Sequence, residues 1–74
     1  MGLTEREKEW GAKASRFLKA ELKRALLTYA DLRERLKSHG LTEIEASIMV
    51  KLRRGTFAAT FLTAALAALE MEDL

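Results

Sequence analysis

The chain contains no cysteine, no proline and a single histidine among its 74 residues. Without cysteine, neither a disulfide nor a thiolate metal site can form, and one histidine does not build the usual zinc sites. The lack of cysteine fits the reducing cytoplasm, where we expect the protein to work. Four glycines and no proline leave a sequence rich in alanine, leucine, lysine, arginine and glutamate, a composition that favours helix almost throughout.

Long apolar segments are also absent. The first ten residues are charged where a signal peptide would carry its apolar region. The longest apolar run, residues 57–69, is interrupted by threonines and is shorter than the about 20 residues that cross a bilayer, so we expect no membrane partner. At this length we predict one helical domain over residues 1–74, with a core in 10–69 and frayed ends at 1–9 and 70–74. Because such a small core is weakly stabilising, oligomerisation would help it.

Basic residues are missing from the C-terminal part of the chain. Residues 1–54 hold all 13 lysines and arginines against 8 acidic residues, a net charge of +5, whereas residues 55–74 hold only 3 acidic residues, a net charge of −3. This segregation suits a protein with one electropositive surface. The alternative is that the lysines and arginines only form the solvent-exposed faces of two amphipathic helices.

Two capping boxes and a glycine delimit the first helices. Thr4 with Glu7, and Thr28 with Asp31, have the spacing in which a threonine caps a helix and the acid three residues later bonds back. Gly40 is placed to end the second helix. In the first helix Gly11 lowers helix propensity by about 1 kcal/mol. The apolar positions that follow a helical period here, with Trp10 as a hydrophobic anchor, are Trp10, Ala14, Phe17, Leu18, Leu22 and Ala25.

The central segment, residues 41–55, predicts a short helix with a defined start and end. Thr42 and Glu45 form a third capping-box pattern, and Gly55 suits the left-handed position after a helix. Ile44, Ile48 and Leu52 form one apolar stripe that should face the core. The opposite face, with Arg53 at its edge, consists of Glu43, Ala46, Ser47, Val50 and Arg54.

That outward face has two interpretations. It is typical of a recognition helix in a DNA major groove, and even more of an ordinary amphipathic helix in a small bundle. Glu43 and Glu45 in its first turn would repel phosphate, or accept a hydrogen bond from a cytosine amine. Val50, an apolar residue at the centre of the face, could meet a thymine methyl group or a partner protein.

The last helix is almost wholly apolar and should therefore be buried on more than one side. Phe57, Phe61, Ala65 and Leu69 form its core stripe. We predict that the opposite, alanine-rich side forms a homodimer interface. The residues expected there are Ala58, Ala64, Ala67 and Ala68.

No catalytic pattern is present in the sequence. It has no glycine-rich phosphate loop, no Ser/His/Asp arrangement and no metal-ligand spacing. His39 lies at a predicted helix end, where capping the last carbonyls explains it better than catalysis. We therefore expect no enzyme activity, no cofactor and no small-molecule substrate.

Two resemblances follow from these motifs. Thr28 to Leu32, Arg53-Arg54-Gly55 and Thr60 to Leu69 resemble the second helix, the end of the recognition helix and the closing helix of phage-repressor-like (XRE-type) domains. Residues 10–69 also resemble a small bacterial domain family of unknown function. The motifs that carry this second resemblance are Leu18-Lys19-Ala20-Glu21-Leu22, Thr28-Tyr29, Leu32, Gly40, Glu45-Ala46-Ser47-Ile48, Lys51-Leu52, Arg54-Gly55, Phe57 and Phe61.

These resemblances imply an all-α fold of four or five short helices, a helix-turn-helix (lambda-repressor-like) bundle. The function that the first resemblance implies is DNA binding by a small bacterial or phage transcription regulator. The alternatives are a protein-interaction module, antitoxin-like or an adaptor, that docks a partner through the outward face of the 42–54 helix, and a purely structural self-assembling bundle. On the DNA hypothesis Glu43, Ser47, Val50 and Arg54 read bases, and the phosphate contacts come from Arg33, Lys37, Lys51 and Arg53.

Overall fold

The computed structural model describes residues 4–69, and within them the chain forms four helices and no strand. The helices are α1 (Glu5–Arg24), α2 (Tyr29–Ser38), α3 (Glu45–Arg54) and α4 (Ala59–Ala68). The predicted all-α fold is therefore confirmed. Residues 5–9 belong to α1. Residues 1–3 and 70–74 lie outside the described part of the chain, so the prediction that they fray concerns residues that the structure does not describe.

Both capping boxes of the first two helices are confirmed. The Thr4 hydroxyl accepts from the amide of Glu7 at 3.1 Å, and the Glu7 carboxylate accepts from the amide of Thr4 at 3.0 Å. Thr28 and Asp31 repeat the arrangement at 3.1 and 2.8 Å. The backbone hydrogen bond from each threonine stabilises the carboxylate and lowers the pKa of Glu7 and of Asp31 below its ordinary value.

Left-handed residues end both of these helices in Schellman motifs. Gly40 has φ +85°, and the amide of Leu41 donates to the carbonyl of Leu36 at 2.9 Å. At the end of α1 the same position is occupied by Leu26, with φ +58° and an 89% exposed side chain. A leucine in this conformation is strained, since its Cβ crowds the backbone where glycine would not.

The predicted start of α3 is wrong. Neither Thr42 nor a capping box begins this helix: its N-cap is Ile44, which offers no side-chain hydrogen bond, and the helix starts at Glu45. Tertiary contacts explain the difference. Leu41 is held by α2, and Glu43 is bonded to Lys51, two turns further along α3. The chain therefore enters α3 through an extended residue, Ile44, and the end of α3 at left-handed Gly55 is as predicted.

The core lies between all four helices. α3 packs against α1 and α2, and α4 packs against α2. Ile48 and Leu52 are buried as predicted, but Ile44 is 61% exposed because it precedes the helix rather than belonging to its inner stripe. The buried apolar residues are Leu18, Leu22, Leu32, Leu36, Ile48, Leu52, Phe61, Ala65 and Ala68.

Gly11 has a different role from the one its propensity suggests. α1 runs through it without interruption, and its backbone lies directly against that of Gly55. A Cβ on Gly11 would collide with the carbonyl oxygen of Gly55. One turn later the buried Ser15 hydroxyl donates to the carbonyl of Leu52. Gly11 thus permits close contact between α1 and the end of α3.

Two aromatic predictions for α1 are wrong. Trp10 was expected to anchor the helix in the core, but it is 68% exposed, with the Lys13 ammonium 4.6 Å from its ring centroid. Phe17 is also exposed. The face of α1 that α3 covers runs through Gly11 and Ser15, and this contact turns both aromatic side chains towards its flank.

The end of α4 is bound by a side chain of α2. The Arg35 guanidinium donates to the carbonyl of Ala68, the last residue of α4, at 3.1 Å. A cation at a helix C-terminus is favoured by the helix dipole and satisfies a free carbonyl. Between residues 4 and 69 no helix is both long and apolar enough to span a membrane.

Candidate interaction surface on the third helix

The outward face of α3 is available because the opposite face is fully used in the core. Ile48 and Leu52 bury one side, which places Ala46, Val50 and Arg54 on the other. Ala46, Arg53 and Arg54 are exposed, and Ser47 and Val50 are half-buried. The structure therefore brings Ser47, Val50 and Arg54, three of the four residues predicted to read bases, to one face of one helix.

Glu43, the fourth, lies outside the helix in an ion pair. Both of its carboxylate oxygens accept from the Lys51 ammonium, at 2.8 and 2.9 Å. The Glu43 side chain is only 12% exposed and that of Lys51 30%. The same ammonium lies 5.3 Å from the ring centroid of Phe61 in α4. This pair joins the loop before α3 to α3 and α4, and its two charges neutralise each other.

The four cations predicted to contact phosphate differ in their surroundings. Lys51 is held by Glu43, and Arg33 forms an exposed ion pair with its neighbour Glu34 at 3.1 Å. Lys37 and Arg53 are exposed. Within residues 4–69, neither Lys37, Arg53 nor Arg54 forms a salt bridge. These three carry the charge that an anionic partner could meet most directly.

A shallow groove of about 400 Å³ runs along the start of this face. It is bordered by Ile44, Ala46, Ser47, Val50 and Lys51. Sequence reasoning missed Ile44 here, because the helical pattern assigned it to the core. No sequence signal could have shown its exposure, because the path of the preceding loop depends on the contacts of Leu41 with α2 and of Glu43 with Lys51.

The alanines predicted for a dimer interface do not share one surface. Ala58 is exposed, Ala64 and Ala67 are half-buried, and Ala68 is buried in the core of its own chain. Ala68 faces α2, whose Arg35 binds its carbonyl. A partner subunit could therefore reach Ala58, Ala64 and Ala67 but not Ala68. Across residues 4–69 no three acidic or histidine side chains are grouped so as to hold a metal ion.

Comparison with known proteins identifies a family but no individual relative. No curated protein and no solved structure matches the chain. The family described as "Domain of unknown function (DUF6471)" matches residues 10–74, which bears out the resemblance to a small family of unknown function. Since this match covers most of the sequence, including all of α2, α3 and α4, the chain belongs to the DUF6471 family.

Proposed function

We propose that this domain binds DNA through the outward face of α3, and that it acts as a small transcription regulator. In this proposal α2, the loop at residues 39–44 and α3 form a helix-turn-helix unit with α3 as the recognition helix. The loop is longer than a tight turn, but Leu41 and the ion pair of Glu43 hold both of its halves.

The observation that carries the proposal is the pair of exposed arginines at the end of α3. Arg53 and Arg54 lie one turn after Val50 in α3, and the small residues Ala46 and Ser47 lie one turn before it. Small residues allow a helix to approach a groove closely, and arginine is the side chain that most often reads guanine or binds phosphate.

The ion pairs of these residues support a narrower assignment of roles within the proposal. We assign base contacts to Ser47, Val50 and Arg54, and phosphate contacts to Arg53 and Lys37. Glu43 and Lys51 position the start of α3 instead, since each charge is satisfied by the other. Arg33, in its exposed pair with Glu34, is free to exchange that weak contact for a phosphate.

Fluorescence anisotropy of a labelled mixed-sequence duplex, at low and near-physiological salt, tests the proposal. Binding should weaken steeply with salt, because phosphate contacts release counterions. Arg53→Ala should reduce the slope of log affinity against log salt by about 1, and on a selected site Arg54→Ala should lower affinity by about 1–3 kcal/mol. Arg24→Ala, which removes an equal charge at the far end of α1, is the matched control. The absence of binding at low salt would refute DNA binding.

Ile44 favours a second candidate, a protein-interaction module. An exposed isoleucine beside the α3 groove, next to the half-buried Val50, offers apolar area that a DNA backbone does not need. The affinity for a protein partner at this surface should depend little on salt, and binding should be lost in the Ile44→Ser variant. Under the DNA proposal Ile44→Ser leaves affinity close to that of the wild type, so this one variant separates the two.

A further inference from the structure

The flank of α1 carries a large apolar side chain that the fold does not use. Trp10 is the one tryptophan of the sequence, and it is 68% exposed although it lies within a regular helix. Its ring has the Lys13 ammonium on one face, 4.6 Å from the centroid. The α3 face described above does not include it. Tryptophan is among the residues that most often dominate the binding energy of a protein interface.

Immediately beside Trp10 lies a groove of about 410 Å³. Gly11 and Gly55 line it at the point where their backbones meet. Phe57 and Ala14 line it with apolar surface, and Glu7 lies at its edge. The same flank therefore carries a protruding aromatic ring and, next to it, an apolar groove with space for one.

We propose that this flank binds a second copy of the chain, with Trp10 of each copy inserted into the groove of the other about a two-fold axis. A two-fold interface uses the same surface on both subunits, so that surface must contain a protrusion and its own complement. The flank around Trp10 meets this requirement, and it has no connection with the alanine side of α4 considered above.

The charges around the groove are complementary in this arrangement. Lys13 stays beside Trp10, so it enters the partner copy's groove region together with the ring. There it meets Glu7 of the other copy, whose pKa is lowered by the hydrogen bond that its carboxylate accepts from the Thr4 amide. The two-fold axis produces this contact twice. Lysine facing lysine across the axis would instead oppose association.

The interface is small, so the dimer should be weak and concentration-dependent. Each tryptophan can bury about 150–250 Å², and two such side chains with their grooves fall below the about 1,200 Å² of a standard stable interface. Most of the binding energy would then come from Trp10 itself, as is usual for a central aromatic residue.

Tryptophan fluorescence and sedimentation equilibrium, both without DNA, test this proposal. As concentration rises from micromolar to millimolar, Trp10 emission should move to shorter wavelength and its quenching by acrylamide should fall, in step with the dimer fraction. Trp10→Ala should weaken association at least about tenfold, the loss typical of a dominant interface residue. Leu26→Ala, which truncates an 89% exposed apolar side chain at the other end of α1, should leave association unchanged.

Charge reversal supplies the second test. Lys13→Glu should weaken association because it meets Glu7, whereas Lys19→Glu, the same change on the opposite flank of α1, should not. A dimer that forms without any change in Trp10 emission would place the interface elsewhere and overturn the proposal. A monomer at all concentrations, or Trp10 emission already at short wavelength in the monomer, would overturn it too. DNA binding by α3 is measured separately and does not depend on the result.

Discussion

The first two helices and the last two begin in different ways. α1 and α2 each start with a complete capping box, whereas the N-cap residues of α3 and α4, Ile44 and Ala58, make no side-chain cap. The later helices are held by contacts distant in sequence: Glu43 with Lys51, Gly55 with Gly11, and Arg35 with the carbonyl of Ala68. Local sequence therefore specifies α1 and α2, while α3 and α4 depend on packing.

The strongest test of this contrast is Gly11→Ala. In an exposed helix this change would stabilise by about 1 kcal/mol, but here the new methyl group meets the backbone carbonyl of Gly55. We expect a loss of about 3 kcal/mol, the upper end for an overpacked site, because backbone cannot rotate away. Urea denaturation measures it, with Ala20→Gly on the exposed face as a control that costs about 1 kcal/mol. A stabilised Gly11→Ala variant would mean that α1 and α3 are not in close contact.

A double-mutant cycle on Glu43 and Lys51 has the next largest expected effect. Lys51→Met leaves a mostly buried carboxylate unpaired, so we expect a loss of about 2 kcal/mol, below the value for a fully buried pair. Adding Glu43→Gln should recover part of it. The same cycle on Glu5 and Lys8, whose side chains are 87% and 59% exposed, should give a coupling below about 0.5 kcal/mol. Equal coupling energies in the two cycles would contradict the inference that the Glu43–Lys51 pair holds the loop before α3 in place.

The capping residues should show a smaller, selective effect. Thr28→Ala removes a real N-cap and should lower the free energy of unfolding by about 1 kcal/mol. Thr42→Ala, which has the same sequence pattern but caps no helix, should be close to neutral. Thermal denaturation of the two variants side by side measures the difference. A comparable loss in both would show that α3 begins at Thr42 in solution.

Lowering the pH should destabilise the first two helices selectively, and this is the smallest of the effects that we expect. The folded-state pKa values of Glu7 and Asp31 are lowered by their threonine hydrogen bonds. Their contribution is therefore present above the unfolded pKa and is lost as pH falls through the lower, folded pKa. Stability should decline over this acidic range, and less so in Thr4→Ala or Thr28→Ala. Denaturation series from neutral to acidic pH measure this, and an identical decline in wild type and variants would exclude the capping carboxylates as its cause.

The candidate surface, like the helices, has some features that local sequence determines and others that depend on tertiary packing. Ser47, Val50 and Arg54 could be placed on one outward face from the sequence, since helical periodicity and the burial of Ile48 and Leu52 determine that face. The neutralisation of Lys51 could not be predicted, because its partner Glu43 lies in the preceding loop, whose path depends on α2. The exposure of Ile44 follows from the same path and was therefore missed as well.

Helix content, two of the helix starts and the apolar stripe of α3 follow from local chemistry, because capping and periodicity involve neighbours within one or two turns. The exposure of Trp10, the start of α3 and the role of Gly11 depend on how the helices meet. Each is decided by a contact between distant backbone or side-chain atoms, such as that of Gly11 with Gly55, and no pattern of nearby residues encodes these contacts.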